Sequence, residues 1–208
     1  MRNKTIGSPR TERWFWPAWG AAFLGFPIGG AAATLLVGPI ESVGAALIAG
    51  GVAGGVIGAA QWLVLRRRLP LSALWVPATA AGMALGMALG QVLLGHDTTM
   101  QLLLLRGLVV GAAIGAARAA LLRGVLPTAA IWAAVVTLSW PLAWAVSAAI
   151  GLDLTRNWAV FGASGALTFQ FATGLTLFYL LRRNAPVLAP APAPGLGPVA
   201  AAQGRSAG

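Results

Sequence analysis

Six apolar stretches, at about residues 14–37, 42–65, 71–94, 100–122, 127–150 and 157–181, decide what this chain can become. Each is on the order of 23 to 25 residues, or ~35 Å as helix, enough to cross a ~30 Å hydrocarbon layer with some tilt. The runs lack period-2 alternation and far exceed the ~10 residues of a barrel strand, so helix is expected rather than strand. Pro17, Pro27, Pro77 and Pro141 fall inside the stretches; neighbouring helices in lipid tolerate such breaks. The expected fold is all-α and integral to a membrane, with six transmembrane helices.

Composition agrees and excludes much else. Charged residues make up 9% of the 208, against roughly 25% in soluble domains. The absence of cysteine removes disulfides, thiolate nucleophiles, iron–sulfur ligation and cysteine-type zinc sites. A single histidine, His96, builds neither a metal cluster nor a paired-histidine haem site. The net charge of +10 is scattered between apolar runs rather than gathered in a patch, so the expected partner is the lipid bilayer and no nucleic acid.

An internal repeat organises the chain. Gly58-Ala-Ala-Gln61-Trp-Leu-Val-Leu-Arg66 returns 57 residues later as Gly115-Ala-Ala-Arg118-Ala-Ala-Leu-Leu-Arg123, and again as Gly174-Leu-Thr-Leu-Phe-Tyr-Leu-Leu-Arg182. Leu69-Pro70 followed by Trp75 returns as Leu126-Pro127 followed by Trp132, and Gly82, Gly86 and Gly90 match Gly25, Gly29 and Ala33, then Ser139, Ala143 and Ser147. The unit is a two-helix hairpin present three times, at about 14–68, 69–125 and 126–183. Because each unit crosses twice, the copies share one orientation, as parallel repeats. Residues 1–13 form a basic N-terminus, and 184–208 an Ala-Pro-rich tail of disordered, extended character.

Charge places the ends. Arg2, Lys4, Arg10 and Arg13, then Arg66-Arg67-Arg68, Arg123 and Arg182-Arg183 mark one end of successive hairpins; Glu41, Asp97 and Asp153 occupy the other, with Arg156. The positive-inside rule puts both termini in the cytoplasm, in the cell (inner) membrane. Trp14, Trp16, Trp19, Trp75 and Trp132 gather near the basic side and Trp158 near the other, as an aromatic belt does. A signal-peptide reading of the first stretch, with Ala31-Ala32-Ala33 as small residues for cleavage, gives way to its membership in the repeat.

The residues that stand out are few. Gly50, Gly54 and Gly58, Gly51 and Gly55, Gly82, Gly86 and Gly90, and Gly107, Gly111 and Gly115 recur at every fourth position. Such spacing brings helix backbones together in lipid, inside the bundle or between identical subunits. Arg118 lies near the basic helix end, where its stem can snorkel. Arg106, about six residues (~9 Å) inside its helix, is expected to pair with Asp97 or Asp153, aided by Gln101, or to line an anion-attracting path. Glu41, Asp97 and Asp153 read as helix-start residues or as a cation-attracting ring. Gln61, Gln91, Gln101 and Gln170, with Thr34, Thr79, Thr137, Ser139, Ser164, Thr168 and Thr173, suit hydrogen bonds between helices or a hydrated pore. No carboxylate is expected within the spans. No Ser/His/Asp arrangement, metalloprotease motif or phosphate loop occurs, so neither catalysis nor a cofactor is expected.

The motif Gly-x-x-Gln-Trp-Leu-Val-Leu-Arg66, followed by Leu-Pro, a Trp and Gly82-x-x-x-Gly86, resembles a group of uncharacterised bacterial multi-pass membrane proteins with G-x-x-x-G-x-x-Q-x-x-x-L-R repeats. The resemblance covers about residues 14–183 and implies the hairpin architecture but no activity. One lysine against thirteen arginines also points to a GC-rich bacterial coding sequence. A threefold set of hairpins is similar to the layout of mitochondrial carriers, whose P-x-[DE]-x-x-[KR] signature is missing here. The expected function is a non-enzymatic packing or interaction protein that self-associates or seats a membrane partner or lipid. The alternative is a small channel or carrier for ions or small solutes along the repeat axis.

Overall fold

The structure is a computed structural model that describes residues 9–67, 69–95, 97, 99–123, 129–153 and 159–183, with side chains from residue 15 onward. It is all-helical over those residues: α1 (Pro9–Ala21), α2 (Gly25–Val37), α3 (Val43–Leu65), α4 (Trp75–Leu94), α5 (Met100–Leu122), α6 (Ala129–Ala149) and α7 (Ala163–Arg183). Six helical segments, with Phe15–Val37 counted as one, are long and apolar enough to cross a bilayer. Leu35, Ile150, Val92 and Leu138 stand exposed on the outer surface. A water-facing protein does not carry so much apolar surface, and the chain fits a multi-pass membrane protein.

The first apolar stretch is interrupted just before Pro27. Pro27 has no N–H, and its ring collides with the carbonyl four residues back, on Phe23. The backbone tightens there into a 3-10 turn over Ala22–Leu24, with the Gly25 N–H bonded to the Ala22 oxygen.

Helices follow one another in space as in sequence. The main contacts run α2–α3, α3–α4, α4–α5, α5–α6 and α6–α7, and α7 closes back on α1 and, more lightly, on α2. The result is a ring of antiparallel neighbours. Gly38, Gly95 and Gly151 each adopt positive φ, a conformation that costs glycine no steric strain. They turn the chain at one end of the ring, beside Glu41, Asp97 and Asp153, called here the acidic end. Arg66, Arg67, Arg123, Arg182 and Arg183 mark the opposite, basic end.

Glycines set the spacing between neighbours. A Cβ on Gly50 would lie 2.7 Å from the Ala84 Cα, and one on Gly107 3.0 Å from the Pro141 Cα. Gly54 meets Ala80 and Met83, and Gly111 meets Thr137 and Trp140; Gly58 meets Val76, and Gly115 meets Ala133. Gly25 meets Ile57 and Gly82 meets Ile114; Gly29 meets Ala53 and Gly86 meets Val110. These pairs recur with the same 57-residue offset on both sides of the contact. With no hydrophobic drive between helices in lipid, such close backbone approach supplies dispersion and Cα–H···O contacts. Pro141 adds to this at Gly111: it deprives the Thr137 carbonyl of its helical donor, and that oxygen faces the glycine.

The axis of the ring is filled. Phe26, Phe169, Ile57, Met83, Ile114, Leu65 and Leu122 are fully buried, and Phe26, Trp140, Phe161 and Phe169 stack and edge together at centroid distances from 5.0 to 6.4 Å.

Candidate functional site

Two groups of polar side chains interrupt this apolar interior, one towards each end. At the basic end, Trp19 on α1, Trp75 opening α4 and Trp132 in the first turn of α6 are at most 1% exposed. They do not form the expected interfacial belt. Trp75 and Trp132 lie in the first turns of α4 and α6 and Trp19 in the last turn of α1, and all three side chains are packed inside near the basic end. Trp16, by contrast, is 36% exposed. The side chain of Trp14 and the whole of Trp158 lie outside the described residues.

Gln170 of α7 is the hub of this closure. Its Nε2 donates to the Trp19 carbonyl at 2.6 Å, its own carbonyl accepts from Trp19 Nε1 at 2.8 Å, and its Oε1 accepts from Gln61 Nε2 at 3.1 Å. Thr173 donates to the carbonyls of Phe169 and Gln170. The network ties the last helix to the first and to α3 across the closing seam of the ring.

Arg118 does not snorkel. It is 1% exposed, its Nε donates to Thr79 Oγ1 at 3.0 Å, and its guanidinium carbon lies 4.9 Å from the centre of the Trp75 ring. Thr79 in turn donates to the Trp75 carbonyl at 2.8 Å. The cation–π contact and one hydroxyl offset part of the cost of burying a cation, which amounts to several kcal/mol per ion. No carboxylate among the described residues pairs with it. Arg118 Nη1, Trp75 Nε1, Trp132 Nε1 and Gln61 Oε1 are buried and without a hydrogen-bond partner. Gln61, Arg118 and Leu177, which the three Gly-x-x motif segments of the sequence put at one position, are all buried in the ring; the direction is the same while the chemistry changes.

At the acidic end Arg106 replaces the expected ion pair with a helix cap. Its stem crosses α4 at Gly90, where a Cβ would lie 2.7 Å from the Arg106 Cγ. Its Nη2 donates to the carbonyl oxygens of Gly95 at 2.6 Å and Asp97 at 3.1 Å. The cation thus sits on the carbonyl-rich C-terminus of α4, where the helix dipole favours positive charge. The Asp97 carboxylate attracts it only at longer range; Asp97 Oδ1 instead accepts from the Thr99 N–H at 3.2 Å, a turn that leads into α5. Arg106 and Gln91 line a cavity of about 50 Å³ whose other walls include Met87, Leu103, Trp140 and Trp144.

Glu41, Asp97 and Asp153 are exposed at the acidic end, and no trio of His, Asp or Glu among the described residues is close enough to hold a metal ion. Gln101 is exposed, away from the interior; His96 and Arg156 lie outside the described residues. Ser139 and Ser147 are buried, and the Ser147 hydroxyl meets Gly165 of α7. Sequence reasoning missed the hub role of Gln170 and the inward turn of the tryptophans. The recurrence of Trp75 at Trp132, 57 residues on, carried the second signal, since a belt needs no such register.

A second, larger hollow of about 470 Å³ opens on the outer surface between α2 and the segment entering α7. Pro27, Gly30, Ala31, Leu35, Val160, Phe161 and Thr34 line it. No protein-family model matches the chain, and neither the curated proteins nor the solved structures contain a match to it.

Proposed function

We propose that this chain is a non-enzymatic, multi-pass protein of a bacterial inner membrane, built from three tandem two-helix hairpins with both termini cytoplasmic, that seats a lipid at the α2–α7 seam. The recurring glycine contacts and the three positive-φ turns support the hairpin repeat, and the basic loops support the orientation. The observation that carries the lipid reading is the groove itself. Glycines interlock α2 with α3 and every later neighbour up to α6–α7, but between α2 and α7 the interlock gives way to the 470 Å³ hollow. Among the described residues of its lining Thr34 is the one polar side chain, so a hydrocarbon chain suits the part they form.

The filled axis counts against the alternative, a channel or carrier along the repeat axis. Self-association has one remaining surface of the expected kind, Gly51 and Gly55 on α3, where an added Cβ meets nothing within 4 Å. Native mass spectrometry of the full chain released from mild detergent separates the readings. The wild type should retain one phospholipid, and Ala31→Trp and Ala163→Trp, which fill the groove, should lose it. Unchanged retention in both variants, or a dimer that either variant abolishes, refutes the lipid reading.

A further inference from the structure

We infer that the basic end of the ring holds one small monovalent anion, of the halide or nitrate class, on Arg118 and the indole N–H groups of Trp75 and Trp132. This site lies apart from the lipid groove and does not depend on it.

The inference begins with an imbalance. Trp75 and Trp132 stand 57 residues apart, and Trp19 stands one residue out of that register; of the three closing tryptophans only Trp19 has its N–H satisfied, by the Gln170 carbonyl. Trp75 and Trp132, with ring centroids 6.1 Å apart, have theirs unpaired and buried. These two tryptophans sit on α4 and α6, the helices flanking α5, which carries Arg118. Its guanidinium lies against the Trp75 ring and has an unpaired Nη1 of its own. Three buried N–H donors and one full positive charge are thus gathered in one layer, with no described carboxylate to neutralise them.

Buried donors left unpaired carry the full penalty of their desolvation, and a buried cation without a counter-charge costs more. A fold that keeps all of them in one place is complete only with an acceptor that is also an anion. A single cation balances a single negative charge, which disfavours sulfate or a phosphate dianion. The dry aromatic surroundings favour an ion with weak hydration, since it gives up least on leaving water. The unpaired acceptor Gln61 Oε1 on α3 marks the competing outcome, ordered water in place of an anion. Arg118 lies about four residues, or ~6 Å, from the end of α5, so the site is nearer the basic end than the acidic one.

The test uses the full chain in detergent at constant ionic strength, with sodium gluconate exchanged for chloride, bromide or nitrate. Thermal unfolding should rise by roughly 5–10 °C when the small anion reaches a hundredfold excess over its Kd. Arg118→Gln, which installs the side chain used at the matching position of the first repeat, should abolish the shift. Trp132→Phe keeps the ring but removes one donor, and should move the anion concentration at half-effect upward by about tenfold. If the wild type unfolds at the same temperature in gluconate and chloride, the site holds water only and the inference fails. An unchanged half-effect concentration in Trp132→Phe overturns it as well, even if Arg118→Gln does not fold.

Discussion

Gly50 and Gly51 are neighbours on α3, and the same substitution at each should have opposite effects. A Cβ on Gly50 would stand 2.7 Å from the Ala84 Cα, 2.8 Å from the Met83 oxygen and 2.9 Å from the Ala84 nitrogen, all backbone atoms of α4. No side chain can rotate away, so Gly50→Ala must push α3 and α4 apart by about 0.7 Å to reach ordinary 3.4 Å contact. A gap of ~0.5–1 Å forfeits a quarter to a half of each dispersion well along that interface, and overpacking of this kind costs about 1–3 kcal/mol. Alanine returns up to ~1 kcal/mol through its higher helix propensity. The net for Gly50→Ala is a loss of about 1–2 kcal/mol. At Gly51 the added methyl meets nothing within 4 Å, so only the propensity gain remains and the variant should be stable or slightly stabilised. Both variants unfolded in parallel by heat in the same detergent give the comparison. Should Gly50→Ala unfold no earlier than Gly51→Ala, close backbone contact does not set the α3–α4 spacing.

Other consequences follow from the polar contacts. Arg106→Leu strips the C-terminus of α4 of its cation and should cost about 1–2 kcal/mol, whereas Asp97→Asn, which retains an Oδ1 for the Thr99 N–H, should cost under ~1 kcal/mol; equal losses in thermal unfolding would restore the ion-pair reading. Gln170→Leu leaves the Trp19 carbonyl and the Gln61 amide unpaired and should lower stability by about 2 kcal/mol, while Gln61→Leu, which also removes an orphaned oxygen, should cost less. The native chain has no cysteine, so single variants Ser8→Cys, Ser206→Cys and Thr99→Cys report topology cleanly. An impermeant maleimide should label the first two from one face of sealed vesicles and Thr99→Cys from the other.

The helices were legible in the sequence because length and apolarity are local properties, and the glycine stripes because their spacing is a property of one helix at a time. The first stretch reads as one span, yet Pro27 divides it, a break visible in the residue type but not in the hydropathy. Two assignments based on chemistry alone went elsewhere in three dimensions. The tryptophans near the basic loops have the composition of an interfacial belt, but belt and plug differ only in the angle at which a side chain leaves its helix. Arg106 and Asp97 carry opposite charges nine residues apart, which suggests a pair. The fold offers the arginine something nearer, the carbonyls at the end of α4, because Gly90 leaves room for its stem to cross.

Sequence symmetry and structural asymmetry then meet at one position. Gln61, Arg118 and Leu177 align in the sequence motifs and are all buried, so this inward place accepts glutamine, arginine and leucine alike. The basic end needs only that something inward-facing fill the space, and leucine does so in the third copy without any polar partner. An arginine there adds a charge the packing does not require and leaves three N–H groups, its own included, without acceptors. Across the closing seam, by contrast, Gln61 Nε2, Gln170 and Trp19 bond to one another, with only the Gln61 Oε1 left without a partner. One side of the ring answers its polar groups largely with hydrogen bonds, whereas Arg118 Nη1 and the two indole N–H groups lack acceptors, so it is there, rather than along the filled axis, that solution anions should act on the fold.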